Sequence, residues 1–207
     1  MKKLLLTGAI IASLALVAFI QKGEKYETLA IGDSAPMTSQ EMTNTDGKMM
    51  SLESVGKNNG TLVLFTCNTC PFVIQWENRY PEIAKLASNN GIGLALINSN
   101  EAKRKGDDSV EEMRKHAEDK GYGDLAYLVD ENSALANAFG AKTTPHVFLF
   151  DKDWKLVYEG AIDDNSKDVK AVKATYLKDA LKNLATGKKI DPNNTKAIGC
   201  SIKRVKV

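Results

Sequence analysis

One stretch constrains this chain more than any other: a run of five apolar-rich residues, TLVLF at 61–65, followed at once by TCNTCPF at 66–72. A short continuous apolar run is expected of a strand buried on both faces. Beyond it, Val73, Trp76, Tyr80, Ile83, Ala84 and Ala87 recur at spacings of three and four, which marks one face of a helix. Pro81 falls inside that pattern and predicts a kink, since it removes one backbone donor while the periodicity continues. Cys67 and Cys70 therefore stand between a buried strand and a helix. The strand brings the loop to the edge of a sheet. The helix turns its first amides and its dipole toward the loop, and both favour a thiolate. Pro71 suits the first helical turn, where its missing N–H costs nothing. Two intervening residues let the second sulfur reach the first. A low-pKa thiol beside a resolving thiol is what disulfide exchange requires.

Two plainer uses of CxxC compete with this one. A structural zinc site needs two more ligands, usually a second close pair. Only Cys200 and the separated His116 and His146 remain. A purely structural disulfide would close a very short loop and contribute little. Redox work is the reading that the position favours.

The rest of the chain supplies further elements. Asp46-Gly47 is a turn signal for an N-terminal hairpin. Ile92–Asn98 reads as a second buried strand. Ser109-Val-Glu-Glu112 reads as a capping box opening a helix to about Asp119. Leu125–Val129 is strand-like, and Asp130 can cap a short helix ending at Gly140. His146–Phe150 is a third apolar run, turned back by Asp151-Lys-Asp153 into Trp154–Tyr158. An apolar stripe from Val169 through Val172, Tyr176, Leu177, Ala180 and Leu181 to Leu184 predicts a closing helix. The order β-α-β-α-β-α-β-β-α predicts an α/β domain over 31–190, with helices on both faces of a mixed sheet. Residues 191–207 read as an irregular, flexible tail carrying Cys200.

The N-terminus has a different character. Lys2 and Lys3 precede an apolar run from Leu4 to Ile20. A positive start followed by an apolar stretch is an export signal. Its 17 residues would span roughly 25 Å as a helix, a little short of a bilayer core. Residues 1–23 thus read as a signal peptide or a membrane anchor through residues 4–20, and 24–30 as a linker. The expected location is periplasmic, free or anchored to the inner membrane. Export permits disulfides, and three Cys leave one thiol over. With 28 basic and 26 acidic side chains the net charge is +2, which gives no electrostatic footprint for nucleic acid.

Downstream, Thr144-Pro145 stands at the start of a strand. A proline there can be cis, and the backbone before it can pair with an extended substrate. His146 lies on the same strand face as Thr144, so a copper or zinc site with Cys67 and Cys70 is an alternative. A strand-end His satisfied by hydrogen bonds is the plainer reading. Asp163 and Asp164 read as a loop rather than a proton relay, Trp76 and Tyr80 as core residues, and Lys103-Arg-Lys105 as a solvated loop. Cys200 could resolve a sulfenic acid or mixed disulfide formed at Cys67 or Cys70.

Four segments together, FTCNTCPFV at 65–73, AFGAKTTPHVFLFD at 138–151, YEGAIDDN at 158–165 and GCSIK at 199–203, resemble the thioredoxin superfamily, and within it the peroxiredoxin-like, or redoxin, branch of bacterial proteins. The resemblance covers about residues 31 to 203. It implies a thioredoxin-like fold, a cis-Pro facing the dithiol, and thiol oxidoreductase or antioxidant chemistry without a cofactor. The thioredoxin pattern makes Cys67 the nucleophile and Cys70 the resolving thiol, with Thr144 and Pro145 binding substrate. The peroxiredoxin pattern puts the peroxidatic position on Cys70, with Cys67 where that family has Thr. No Arg of a peroxide-polarising motif is evident. The expectation is therefore an exported thiol–disulfide oxidoreductase acting on protein dithiols or disulfides, with an upstream reductant. A thiol peroxidase and a copper-binding module are the alternatives.

Overall fold

The computed structural model describes residues 26–205. The expected export signal at 1–23 lies outside them. Among the described residues no helix is long and apolar enough to cross a membrane.

The chain opens with a small hairpin, β1 (Met42–Thr43) and β2 (Met49–Met50), joined through the Asp46-Gly47 turn. A one-turn helix, α1 (Leu52–Val55), follows; its Ser51 cap accepts the Ser54 N–H. Then comes β3 (Gly60–Thr66), buried along its whole length. The helix after it is divided into α2 (Pro71–Trp76) and α3 (Tyr80–Asn89), with one tight turn, Glu77–Arg79, between them. Pro81 explains the break. It has no N–H to give the Glu77 carbonyl, and Tyr80 donates to that oxygen instead, tightening the turn.

The remaining strands and α-helices are β4 (Ile92–Asn98), α4 (Val110–Asp119), β5 (Ala126–Val129), α5 (Ala134–Phe139), β6 (Thr143–Thr144), β7 (His146–Phe150), β8 (Leu156–Gly160), α6 (Tyr176–Ala185) and β9 (Cys200–Ser201). The central sheet has the order β5-β4-β3-β7-β8. β3, β4 and β5 run parallel; β7 and β8 are antiparallel to their neighbours. This is the expected mixed α/β sheet.

Alternation along β3 divides the core. Leu62 and Leu64 pack with Trp76, Tyr80, Ile83, Leu177 and Leu181. Val63 and Phe65 face the other way, onto Leu52, Leu135, Phe139 and Phe148. There Phe65, Phe139, Phe148 and Phe150 meet edge to face, with ring centroids 5.3 to 5.6 Å apart. Helices thus cover both faces.

Several local expectations need correcting. Ser109 caps α4 by accepting the Glu112 N–H, but its own N–H goes to the Gly106 carbonyl, so the cap is one-sided. Asp130 caps α5 from further upstream, its carboxylate accepting the N–H groups of Leu135 and Ala136. Val169 and Val172 are not part of α6. Asp164 accepts the Lys173 N–H and Asp168 the Lys170 N–H, and these bonds hold Val169–Ala171 as one tight turn, separate from and ahead of the helix. Within the expected linker, Thr28 and Leu29 are tied to the end of α5, through Gly140 and Phe139. Gly140 has φ +61, and a side chain there would collide with the Glu27 carbonyl.

Phe148→Ala should lower the unfolding free energy by about 3–5 kcal/mol through the cavity it leaves. The check is a lower urea midpoint with an unchanged denaturant slope.

Candidate active site

The loop from Cys67 to Cys70 is held from beneath by a buried carboxylate. Asp108 Oδ1 accepts the backbone N–H of Asn68 at 2.9 Å and Asn98 Nδ2 at 2.8 Å; Oδ2 accepts Asn100 Nδ2 at 3.0 Å. Asn68 also donates to the Asp107 carbonyl and accepts the Tyr127 hydroxyl. A fully buried carboxylate is tolerable only when its lone pairs are used this way.

Opposite the loop lies β6. The peptide bond from Thr144 to Pro145 is cis. Thr144 touches both sulfurs: its Oγ1 is 3.2 Å from Cys67 Sγ, and its carbonyl oxygen is 3.1 Å from Cys70 Sγ, whose S–H can donate to it. The structure therefore brings Cys67, Cys70, Thr144 and Pro145 together.

Cys70, not Cys67, occupies the N-cap of α2, and Pro71 takes the first helical position. Cys67 and Cys200 lie against Cys70 in one buried cluster with Val73. Against burial, these neighbours pull the Cys70 pKa from the ordinary thiol range down to about 4, with Cys67 contributing most. Cys67 shifts the opposite way. Its thiol is pushed up because it gives its proton's hydrogen bond to Cys70, and burial and Asp108 add to this, while Thr144 Oγ1 opposes. Cys200 is also raised, by burial first and by Cys70 second.

The greatest departure from expectation is the C-terminal segment. It is not a loose tail. Cys200 and Ser201 form β9 and pair antiparallel with β6, Cys200 opposite Thr144. Ile202 N–H reaches the Lys142 carbonyl, Lys203 N–H reaches Asn100 Oδ1, and Ala102 N–H reaches the Lys203 carbonyl. Arg204 donates to Asn137 and to the Ala141 carbonyl and lies over the Tyr26 ring. Gly199 passes so close to Thr144 that a side chain would collide with its carbonyl. The backbone expected to receive an extended substrate is thus already paired within the chain.

A cleft of about 250 Å³ opens beside the thiols, lined by Cys67, Cys70, Thr144, Cys200, Asn100, Lys103 and Lys203. The two lysines give it positive charge. Cys67 and Cys70 are almost fully covered, 2% and 4% exposed, whereas Cys200 is half-buried.

Other candidates lie elsewhere. His146 bonds Glu159 through Nε2 and accepts the Lys142 N–H at Nδ1, so neither ring nitrogen is left to hold a metal with the thiols. Asp163 accepts from Trp76 Nε1 and pairs with Arg79, a structural role. Arg104, expected in a solvated loop, donates to the carbonyls of Asn98 and Asp108. Sequence reasoning missed Asp108, Asn98, Asn100 and the lysines of the cleft. The one available signal was position: Asn98 and Asn100 stand at the carboxyl end of a buried parallel strand, where such sheets place their sites.

The redoxin family model matches residues 30–176. An uncharacterized conserved protein from Geobacillus kaustophilus is 35% identical, with 86% of this chain and 94% of that chain covered and a TM-score of 0.78. A hypothetical protein from Sinorhizobium meliloti is 28% identical over 87% of this chain and 98% of that one, with a TM-score of 0.79. The thioredoxin domain of a thiol-disulfide oxidoreductase from Bacteroides vulgatus shares the fold at 18% identity, over 65% of this chain and 90% of that one, with a TM-score of 0.52. No curated protein matches.

Reduced protein should show a thiolate ultraviolet absorbance that titrates with a midpoint near pH 4 and disappears in Cys70→Ser. Between that pH and the ordinary thiol range, the unfolded chain binds a proton that the native state does not. Stability of the reduced form should therefore rise with pH across this window and be lost as pH falls through about 4. A midpoint near the ordinary value of 9.0 would count against the donor arrangement.

Proposed function

We propose that this chain, which belongs to the redoxin family, is a thiol–disulfide oxidoreductase whose reacting sulfur is Cys70. The observation that carries this reading is the pair of sulfurs packed against Thr144 before the cis proline, with Cys70 at the N-cap of α2 and its pKa pulled down to about 4. The roles are then the reverse of the thioredoxin pattern, in which the first Cys of the pair attacks.

The chemistry follows from the two opposite shifts. Cys70 thiolate attacks one sulfur of a substrate disulfide; the S–S bond breaks and the other sulfur leaves with the electron pair. Cys70 is now in a mixed disulfide and carries no charge. The largest cause of Cys67's raised pKa was its hydrogen bond to that sulfur. With the charge gone, Cys67 releases its proton more readily, and Thr144 Oγ1 stays in place to stabilise the new thiolate. Cys67 then attacks Cys70 Sγ, the mixed disulfide breaks, and the substrate leaves reduced. The Cys67–Cys70 disulfide is returned to the dithiol by an upstream reductant. We place this chemistry in an exported protein on the strength of Lys2, Lys3 and the apolar run at 4–20 alone.

A peroxidase would want a guanidinium beside the reacting sulfur. No arginine is among the described residues that line the cleft, which presents Lys103 and Lys203 instead. Disulfide exchange is accordingly the better supported activity.

Insulin or a small model disulfide should be reduced catalytically by the wild type and at background rate by Cys70→Ser. In the double variant Cys67→Ser/Cys200→Ser, a mixed disulfide should accumulate on Cys70. Accumulation on Cys67 in Cys70→Ser/Cys200→Ser would instead restore the thioredoxin order. Hydrogen peroxide should be consumed by the reduced protein no faster than by free cysteine; a clear excess would favour the peroxidase.

A further inference from the structure

We propose that Cys200 is a third redox thiol, delivered to Cys70 by β9, which occupies the strand edge that an extended substrate would otherwise take. This rests on Cys70 being the reacting sulfur. Four observations support it. Cys200 stands directly opposite Thr144 in the β6–β9 pair, the residue before the cis proline. Its side chain packs against the buried cluster of Cys67, Cys70 and Val73 and lines the same cleft as both sulfurs. The segment that carries it is fixed on both sides: upstream, Thr195 N–H bonds the Glu159 carbonyl and its Oγ1 accepts the Ala161 N–H; downstream, Lys203 and Arg204 are anchored as described above. Finally, Gly199 provides the close approach to the Thr144 carbonyl that no other residue could make without a collision.

A strand added to a sheet edge is a common way to present a peptide, with backbone pairing setting the register of its side chains. Here the register puts a thiol at the catalytic sulfur. The step is redox-neutral. Starting from the Cys67–Cys70 disulfide, Cys200 thiolate attacks Cys70 Sγ. The Sγ67–Sγ70 bond breaks as Sγ70–Sγ200 forms, and Cys67 leaves as a thiolate that takes up the proton Cys200 lost. The disulfide moves from two sulfurs that are almost fully covered to one that includes the half-buried Cys200. An external dithiol can reach it there. In the absence of Cys67, the same attack resolves a mixed disulfide on Cys70 and releases the bound thiol.

The test uses the full-length Cys67→Ser protein, reduced, and one equivalent of dithiodipyridine. The expected result is two equivalents of released pyridinethione per protein, no lasting adduct, and a Cys70–Cys200 crosslink in the peptide map. Gly199→Ala added to this background should slow closure by at least about tenfold, since a small displacement of a positioned nucleophile is costly. A stable adduct on Cys70 with Cys200 free would overturn the relay. So would closure at an unchanged rate in the Gly199→Ala variant. If the wild type still cycles through Cys67–Cys70 in either case, the oxidoreductase reading stands without the relay. If the reagent does not react at Cys70, the assignment of the reacting sulfur falls, and the relay falls with it.

Discussion

Asp108 is fully buried, and three hydrogen bonds from Asn68, Asn98 and Asn100 converge on its carboxylate. A charge in such a place must be fully satisfied, so each of those partners is fixed. Asn68 lies between the two cysteines, and its N–H sets the path of the loop. Asn98 ends the central parallel strand. Asn100 turns its free oxygen to Lys203 and so holds the C-terminal segment. The dithiol loop, the end of β4 and the C-terminal segment are thereby tied to one buried carboxylate.

The electrostatics of the site are a matter of who donates to whom. A helix N-terminus favours negative charge. Because α2 begins at Pro71, the residue at that position is Cys70. Cys67 and Cys200, on either side, then become donors, and their own ionisation is disfavoured by the charge they stabilise. On the proposed reading, one sulfur holds the charge at a time, and a covalent bond to that sulfur frees the others to react.

Much of the fold was legible because burial writes itself into the sequence. TLVLF, Ile92–Asn98 and HVFLF became β3, β4 and β7, since a strand covered on both faces can carry almost no polar residue. Trp76 and Tyr80 lie in the core as their spacing implies. The failures were of another kind. Val169 and Val172 continue an apolar stripe, but the Lys173 and Lys170 N–H groups bond the Asp164 and Asp168 carboxylates, and these contacts outcompete the helix there. Residues 191–205 contain too few apolar positions to announce structure. They are held instead by backbone pairing, one buried Ile202 and side-chain contacts to residues distant in the chain.

By itself, the sequence determined that a dithiol sits between a buried strand and a helix, with Thr144-Pro145 at the start of a later strand. These are local facts, carried by apolar periodicity, helix-start chemistry and the stereochemistry of proline. Only the tertiary structure decided which cysteine stands at the helix N-cap, because that depends on where the first helical turn begins. It alone placed Cys200 against Cys70 and set His146 on Glu159. Such contacts join residues tens of positions apart, and no spacing along a chain encodes which long-range partners its folding will bring within hydrogen-bonding reach.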